Sequence, residues 1–181
     1  WGGDAPAYHK PDLKKLFQAV DFVSMHTYPF HDTHYDSKFW IAPKEEAKLG
    51  TKEKAKAAVA RAVSRAKMQF DKVADYMKSV GVAKPIHIGE TGWASISSGL
   101  YGQNGSQAAD EYKAKLFYEQ VRDWTDNAGI SCFYFEAFNE QWKDAGNRWG
   151  SENHFGLIDL EGHAKYPLWK LVDAGAFKGF T

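Results

Sequence analysis

The chain has 181 residues, of which 44% are hydrophobic and 25% are charged, a composition typical of one globular domain with a sizeable core. Lysine plus arginine and aspartate plus glutamate are equal at 23 each, so the formal net charge is zero. A neutral chain has no overall field to attract a polyanion, so we expect no nucleic-acid partner. No apolar run approaches the roughly 18 residues that a membrane span needs.

Two further features of the composition bear on function. The single cysteine, Cys132, excludes an intramolecular disulfide and a cysteine-cluster metal site, and its apolar neighbours indicate a small core residue. Aromatic residues reach 15%, a supply that suits a sugar-binding cleft as well as a large core. The sequence begins at Trp1 without an initiator methionine or a leader, which indicates a processed or excised piece.

Helical and strand patterns alternate along the first half of the chain. A short helix over 11–20 precedes an apolar strand at 22–27, and the segment 30–50 has no sustained period and is predicted to be a long loop. Apolar residues at spacings of three and four then predict a long helix, with Thr51 as its cap and Gly81 as its stop.

The second half continues the alternation. A buried strand at 85–90 leads into a Gly-rich loop, and a helix is predicted from Ser106 to Gly129. The remaining predicted elements are, in order, a strand at 130–136, an extended segment that turns at 161–162 and a helix over 167–172.

Strands that alternate with helices predict an α/β fold with a parallel sheet and right-handed crossovers. Three strands cannot close an eight-stranded barrel, which takes about 250 residues. Two architectures fit this pattern, an open three-layer sheet and the carboxyl-terminal part of a (β/α)8 barrel. Residues 1–3 could also end a further strand. Polar residues follow the carboxyl end of each strand, where such folds place their chemistry, and the barrel fragment is the preferred interpretation.

Carboxylates follow the second and third predicted strands. Glu90 ends the second strand, and Glu136 and Glu140 follow the third. A carboxylate just past a buried strand is partly desolvated and rigidly aimed, as a nucleophile or acid must be. The alternative is that Glu90 caps the next loop or pairs with a cation of the core.

Four segments in the same order resemble glycoside hydrolase family 17, the β-1,3-glucanases and their glucanosyltransferase relatives. They are MHTYPF (25–30), IGETGWAS (88–95), FNEQWKD (138–144) and ENHFGLIDLEGHAKYPLW (152–169). The resemblance implies that 1–181 is the carboxyl-terminal part of a single (β/α)8 catalytic domain, about strands five or six to eight, of the bacterial type.

The resemblance also implies the site residues. Glu90 matches the catalytic nucleophile, and Lys143 is expected near it, where its charge favours the ionised carboxylate. The residues that match substrate-binding positions are His26, Tyr28, Trp93, Glu136, Glu140, Trp142 and Lys143, with Trp93 and Trp142 presenting their rings to the sugar. The family's general acid follows an Asn at strand four, upstream of Trp1; Asn139-Glu140 has the same dipeptide in strand-eight surroundings, so Glu140 is not assigned as the acid.

The function that this resemblance implies is a retaining glycoside hydrolase acting on β-1,3-glucan, either an endo-glucanase or a glucanosyltransferase. Its partners are then β-glucan and the amino-terminal half of the barrel, from the same or another chain, and this part alone is expected to be inactive. No cofactor is expected, and the family suggests a secreted, periplasmic or cell-surface protein. The alternative function is a non-catalytic β-glucan-binding domain fragment.

One loop has residue types that zinc prefers, namely His26, His31, Asp32, His34 and Asp36. No fixed-spacing metal motif accompanies them. A solvated, sugar-contacting loop is the preferred interpretation, and no metal site is expected.

Overall fold

Three parallel strands form the sheet of the computed structural model, which describes residues 10–179. They are β1 (Val23–His26), β2 (Ile86–Thr91) and β3 (Cys132–Tyr134), side by side in that order. Val23 of β1 lies opposite Ile86 of β2, and Ile88 of β2 lies opposite Cys132 of β3. The prediction of three adjacent parallel strands is confirmed, and the strand considered at residues 1–3 falls outside the described residues.

Helices surround and connect these strands. Within residues 10–179 the α-helices are α1 (Pro11–Ala19), α2 (Pro29–Tyr35), α3 (Thr51–Ser79), α4 (Glu111–Ala128) and α5 (Trp169–Asp173). Because α3 joins β1 to β2 and α4 joins β2 to β3, each helix is a crossover between neighbouring parallel strands. The helices predicted near 11–20 and 51–80 are confirmed, and α5 extends a 3₁₀ turn over Tyr166–Leu168.

Helix boundaries depend on caps that the sequence only partly indicated. Thr51 is the first residue of α3 and not its cap, since Gly50 holds the cap position without a side-chain hydrogen bond. The fourth helix begins at Glu111 and not at Ser106, because the Asp110 carboxylate accepts the backbone N–H of Lys113. It ends, as predicted, at Gly129, whose φ of 64° lies in the left-handed region.

The segment 30–50 is more ordered than the predicted loop. It contains most of α2, followed by 3₁₀ turns over Ser37–Phe39 and Lys44–Lys48. Asp32 of α2 accepts a hydrogen bond from Arg65 of α3 at 3.0 Å, and Asp36 accepts another from the same side chain at 2.5 Å. The acidic residues that suggested a solvated loop therefore tie α2 to the long helix.

Two apolar clusters fill the interior. One lies between α3, α4 and the strand-end loops and includes Phe30, Val59, Trp93, Phe117 and Phe155. The other joins α1 and β1 to the end of α3 and includes Phe17, Met25, Val73, Tyr76 and Met77. The first cluster lies directly beneath the carboxyl ends of the strands, so a close-packed aromatic layer supports any site there. In residues 10–179, no helix is long and apolar enough to cross a membrane.

Candidate active site

Glu90 and Tyr28 meet where β1 and β2 end. His26 lies opposite Glu90 in the strand register, so the residues that follow β1 reach the Glu90 carboxylate. The Tyr28 hydroxyl donates a hydrogen bond to Glu90 Oε2 at 3.0 Å, and His26 Nδ1 lies 3.4 Å from the same oxygen. The Glu90 side chain is 42% exposed, so it is held in place while still open to a ligand.

Burial and the neighbouring charge of Glu90 raise the pKa of Tyr28 above its usual value. The phenol therefore stays protonated at neutral pH and acts as a hydrogen-bond donor. Its ring packs edge to face on Phe155 and Phe135, with centroid separations of 6.0 and 6.4 Å. These contacts fix the direction in which the hydroxyl points.

Close approach of the strands aims Glu90 at this edge of the sheet. A Cβ at Gly89 would collide with the Ser24 hydroxyl, and one at Gly92 would collide with the Phe135 carbonyl oxygen. Glycine on either side of the Glu90–Thr91 pair thus allows β2 to lie tightly between its neighbours. The Phe135 N–H also donates to the Thr91 carbonyl at 2.7 Å, which continues the sheet into the loop after β3.

A second charged cluster lies in the loop after β3. The Lys143 ammonium is 3.2 Å from Glu140 Oε2 and 3.5 Å from Glu136 Oε2, and it lies 4.0 Å from the centroid of the Phe135 ring. Lys143 was expected beside Glu90. Its ammonium pairs instead with these two carboxylates, because Glu140 is three residues away on the same turn and Glu136 faces that turn.

Glu136 is nine-tenths buried in this cluster. Burial, followed by the nearby Glu140 carboxyl group, raises the pKa of Glu136 to about 7, although Lys143 acts in the opposite direction. Its Oε1 atom is buried without a hydrogen-bond partner among residues 10–179. An unpaired buried carboxylate oxygen is costly, and the raised pKa, which favours the neutral carboxyl group, reduces that cost.

The two tryptophans assigned to the cleft differ sharply in exposure. Trp93 is 1% exposed, packs among Phe30, Trp40 and Phe117, and donates its indole N–H to the Ala108 carbonyl at 2.9 Å. The expectation that it presents a ring face to sugars is wrong. Trp142 is 71% exposed, and its ring is open to a ligand.

Three residues that sequence reasoning did not assign to the site form a chain of contacts that starts at Tyr28. The His31 ring is 5.1 Å from the Tyr28 ring, its Nδ1 is 2.9 Å from the Tyr101 hydroxyl, and its Nε2 is 3.9 Å from Glu152 Oε1. Burial lowers the pKa of His31, and the charge of Glu152 contributes to the raised pKa of Tyr28. Glu152 is the first residue of the ENHFGL segment, and this segment is the sequence feature that could have assigned Glu152 to the site.

The histidines and acids near β1 are dispersed and do not converge on one point. Asp32 and Asp36 bind Arg65, His31 contacts Tyr101, and His26 faces Glu90. Within the described range 10–179, no group of three His, Cys, Asp or Glu side chains is arranged to hold a metal ion.

Cys132 is half-buried in β3, and burial raises the pKa of its thiol to about 11. A thiol with that pKa is not ionised at neutral pH and is a poor nucleophile.

The chain is similar along its whole length to an endo-laminarinase from Formosa Hel1_33_131, with 57% identity and a TM-score of 0.95, and it covers 46% of that protein. It also resembles a glycoside hydrolase family 17 β-1,3-glucanosyltransferase from Rhizomucor miehei, with 20% identity, a TM-score of 0.55, and coverage of 88% of this chain and 46% of that one. A glucan 1,3-β-glucosidase from Arthroderma benhamiae is 33% identical over an alignment of 95 residues, and the match covers 48% of this chain and 28% of that protein. No protein-family model matches the chain.

The chain thus spans less than half the length of each of these relatives. The three-stranded parallel sheet and its crossover helices have the topology of part of a (β/α)8 barrel, and the expectation of an α/β barrel fragment is confirmed. Identity over the full chain to the laminarinase, together with the shared fold of the glucanosyltransferase, confirms the resemblance seen in the four sequence segments. The chain is therefore similar in sequence to an endo-laminarinase and in fold to a glycoside hydrolase family 17 enzyme.

Proposed function

We propose that this chain forms the nucleophile-bearing part of a retaining glycoside hydrolase that acts on β-1,3-glucan. The observation that carries the proposal is the Glu90 carboxylate at the end of β2, half-exposed and fixed by the Tyr28 hydroxyl at 3.0 Å. A nucleophile needs both properties, since it must be oriented and must reach the substrate. The similar endo-laminarinase and glucanosyltransferase support the choice of β-1,3-glucan as substrate.

In the first step, a Glu90 oxygen attacks the anomeric carbon while a carboxylic acid protonates the departing glycosidic oxygen. The C–O bond to the leaving sugar breaks, and a covalent glucosyl–Glu90 ester forms. A water molecule or a hydroxyl of a second sugar then attacks the anomeric carbon, releases Glu90 and returns a proton to the acid. We propose that the acid comes from the part of the protein outside this chain, about 5–5.5 Å from Glu90.

Tyr28 and His26 have supporting roles in this scheme. The Tyr28 hydroxyl stabilises Glu90 as an anion before the attack and orients it for the anomeric carbon. His26, at 3.4 Å from the same oxygen and more than half exposed, is placed to contact a bound sugar.

We further propose that the loop after β3 forms the adjacent sugar-binding subsite. Trp142 offers an exposed ring to the apolar face of a glucose unit. Lys143 and Glu140 supply donors and acceptors for its hydroxyls, and the buried Glu136 holds Lys143 in place from below.

Residues 1–181 are proposed to belong to a single barrel domain that the amino-terminal half completes. Both β1 and β3 are edge strands of the described sheet, and Phe22, Phe133, Phe138 and Leu160 are exposed large apolar residues at or near those edges. An open sheet edge flanked by exposed apolar side chains is typical of a surface that another part of the protein covers. We place the working enzyme outside the cytoplasm, on the cell surface, in the periplasm or in the medium, because a glucan polymer does not cross a membrane.

The proposal is tested with the full protein that carries this chain, incubated with laminari-oligosaccharides. We expect turnover with retention of the β-configuration in the first product. Proton NMR of the anomeric signals measures that configuration. Glu90→Gln should lower kcat by about 10⁴-fold or more while the folded state and oligosaccharide binding persist. The matched control, Glu45→Gln, changes an exposed carboxylate near α3 and should be fully active.

Product sizes separate hydrolysis, which shortens the chains, from glucan transfer, which also lengthens them. Binding of laminari-oligosaccharides by the full protein without any turnover would reject the enzymatic proposal in favour of a non-catalytic glucan-binding domain.

A further inference from the structure

Lys165 joins three segments that converge behind the site. Its ammonium donates to Ser95 Oγ at 2.9 Å, to Asn139 Oδ1 at 2.8 Å and to the His154 carbonyl at 3.2 Å. Ser95 lies in the loop after β2, Asn139 in the loop after β3, and His154 in the segment that closes the chain. The three protons of a lysine ammonium therefore match three acceptors from three different loops.

No carboxylate forms an ion pair with this ammonium among the described residues. Burial lowers the pKa of Lys165 to about 8, and Glu111, Asp159 and Glu136 offset only part of that effect from a longer range. Placing an amine in such surroundings costs folding free energy. A cost of this kind suggests a role other than simple stabilisation of the fold.

The contact with Asn139 connects Lys165 to the charged cluster. Asn139 directly precedes Glu140, and its backbone N–H donates to the Ile158 carbonyl at 3.0 Å. The backbone N–H of Lys165 donates to the Leu157 carbonyl at 2.9 Å, so the side chain starts from the same segment. Both the backbone and the side chain of Asn139 are thus held, and the turn that carries Glu140 and Lys143 starts from a fixed point.

We propose that Lys165 is a positioning residue, which acts through Asn139 to hold the Glu140–Lys143 turn against the loop that follows Glu90. The inference rests on the proposed function, because its effect is seen in glucan turnover. Lys165 itself contacts no sugar in this scheme. Its removal should displace the subsite side chains. The resulting loss of transition-state stabilisation should exceed the loss of folding free energy.

The test is a double-mutant cycle in the full protein, with kcat/KM for laminari-oligosaccharides as the readout. Lys165→Met keeps the aliphatic stem and removes the donors, and Asn139→Ala removes the acceptor. We expect each single variant to lose about 10-fold or more in kcat/KM, and the double variant to lose no more than the worse single. The matched control, Lys178→Met, changes an exposed lysine and should behave as wild type.

Additive losses in the cycle would overturn the proposal, since they mean that Lys165 does not act through Asn139. Wild-type kcat/KM in Lys165→Met would overturn it too, while leaving the proposed function intact. A wild-type protein that does not turn over glucan would defeat the proposed function and this inference with it. Lys165→Gln, which keeps two N–H donors, enters the same cycle if the Met variant does not fold, and failure of both to fold would assign Lys165 to the core and reject the positioning role.

Discussion

Tyr28 and Glu90, at the ends of two adjacent parallel strands, share a hydrogen bond of 3.0 Å whose donor is the tyrosine hydroxyl. The direction of this bond matters, because the raised pKa of Tyr28 keeps the proton on the phenol. Glu90 therefore receives hydrogen-bond stabilisation in its charged form, which is the form that attacks an anomeric carbon.

Tyr28→Phe should lower kcat by about 10- to 100-fold, since a hydrogen bond to a charged group contributes on the order of 1.5–3 kcal/mol. The melting temperature should change little, because the phenyl ring retains the contacts with Phe135 and Phe155. Steady-state kinetics of the full protein check this, with Tyr112→Phe on α4 as the control. Unchanged kcat in Tyr28→Phe would mean that the hydroxyl does not support the nucleophile.

Trp142→Ala and Trp93→Ala form a contrasting pair. Trp142 is exposed, so its removal should weaken oligosaccharide binding about 10-fold while stability changes by less than about 1 kcal/mol. Trp93 is buried, so its removal should cost about 3–5 kcal/mol of folding free energy. Titration calorimetry and urea unfolding separate the two effects, and equal affinity for oligosaccharide in Trp142→Ala would remove that residue from the site.

The stability of the protein should depend on pH through Glu136. Its pKa is raised from 4.5 to about 7 in the folded state, so between these values the folded protein keeps a proton that the unfolded chain has released. Stability linked to Glu136 is therefore present at low pH and is lost as the pH rises toward 7 and above.

Glu136→Gln removes this dependence. Its free energy of unfolding, relative to that of wild type, should rise by on the order of 1–3 kcal/mol from pH 4 to pH 8. Urea midpoints measured at both pH values provide the comparison, with Glu45→Gln as the control whose difference from wild type stays constant. A constant difference for Glu136→Gln as well would show that its carboxyl group is not perturbed by the fold.

The long helix could be predicted from its sustained period, and the strands from short segments rich in apolar residues that lie between helical patterns. Apolar residues recur at helical spacing along the 29 residues of α3, and β2 is a short segment with isoleucines at its start and glycine next to its terminal Glu90–Thr91. Helix α2 could not be predicted, since its seven residues mix apolar and polar side chains over too few turns to show a helical period. Its order comes from Arg65 on α3, a contact that local patterns do not reveal.

The candidate site was predictable in its strand-end residues and less so in what surrounds them. Glu90 and Tyr28 come together because parallel strands end at one edge. Trp93 is three residues from Glu90, yet its indole lies in the core among residues from distant segments. His31 and Glu152 approach each other from distant segments, so only the tertiary structure joins them to Tyr28.

Trapping of the covalent intermediate shows whether Glu90 forms the bond to glucose. The full protein is incubated with a 2-fluoro-glucosyl donor, digested, and analysed by mass spectrometry for the labelled peptide. We expect a glucosyl adduct on Glu90, absent in Glu90→Gln and still formed in Glu140→Gln. An adduct on Glu140 or on another carboxylate, or normal trapping by Glu90→Gln, would contradict it.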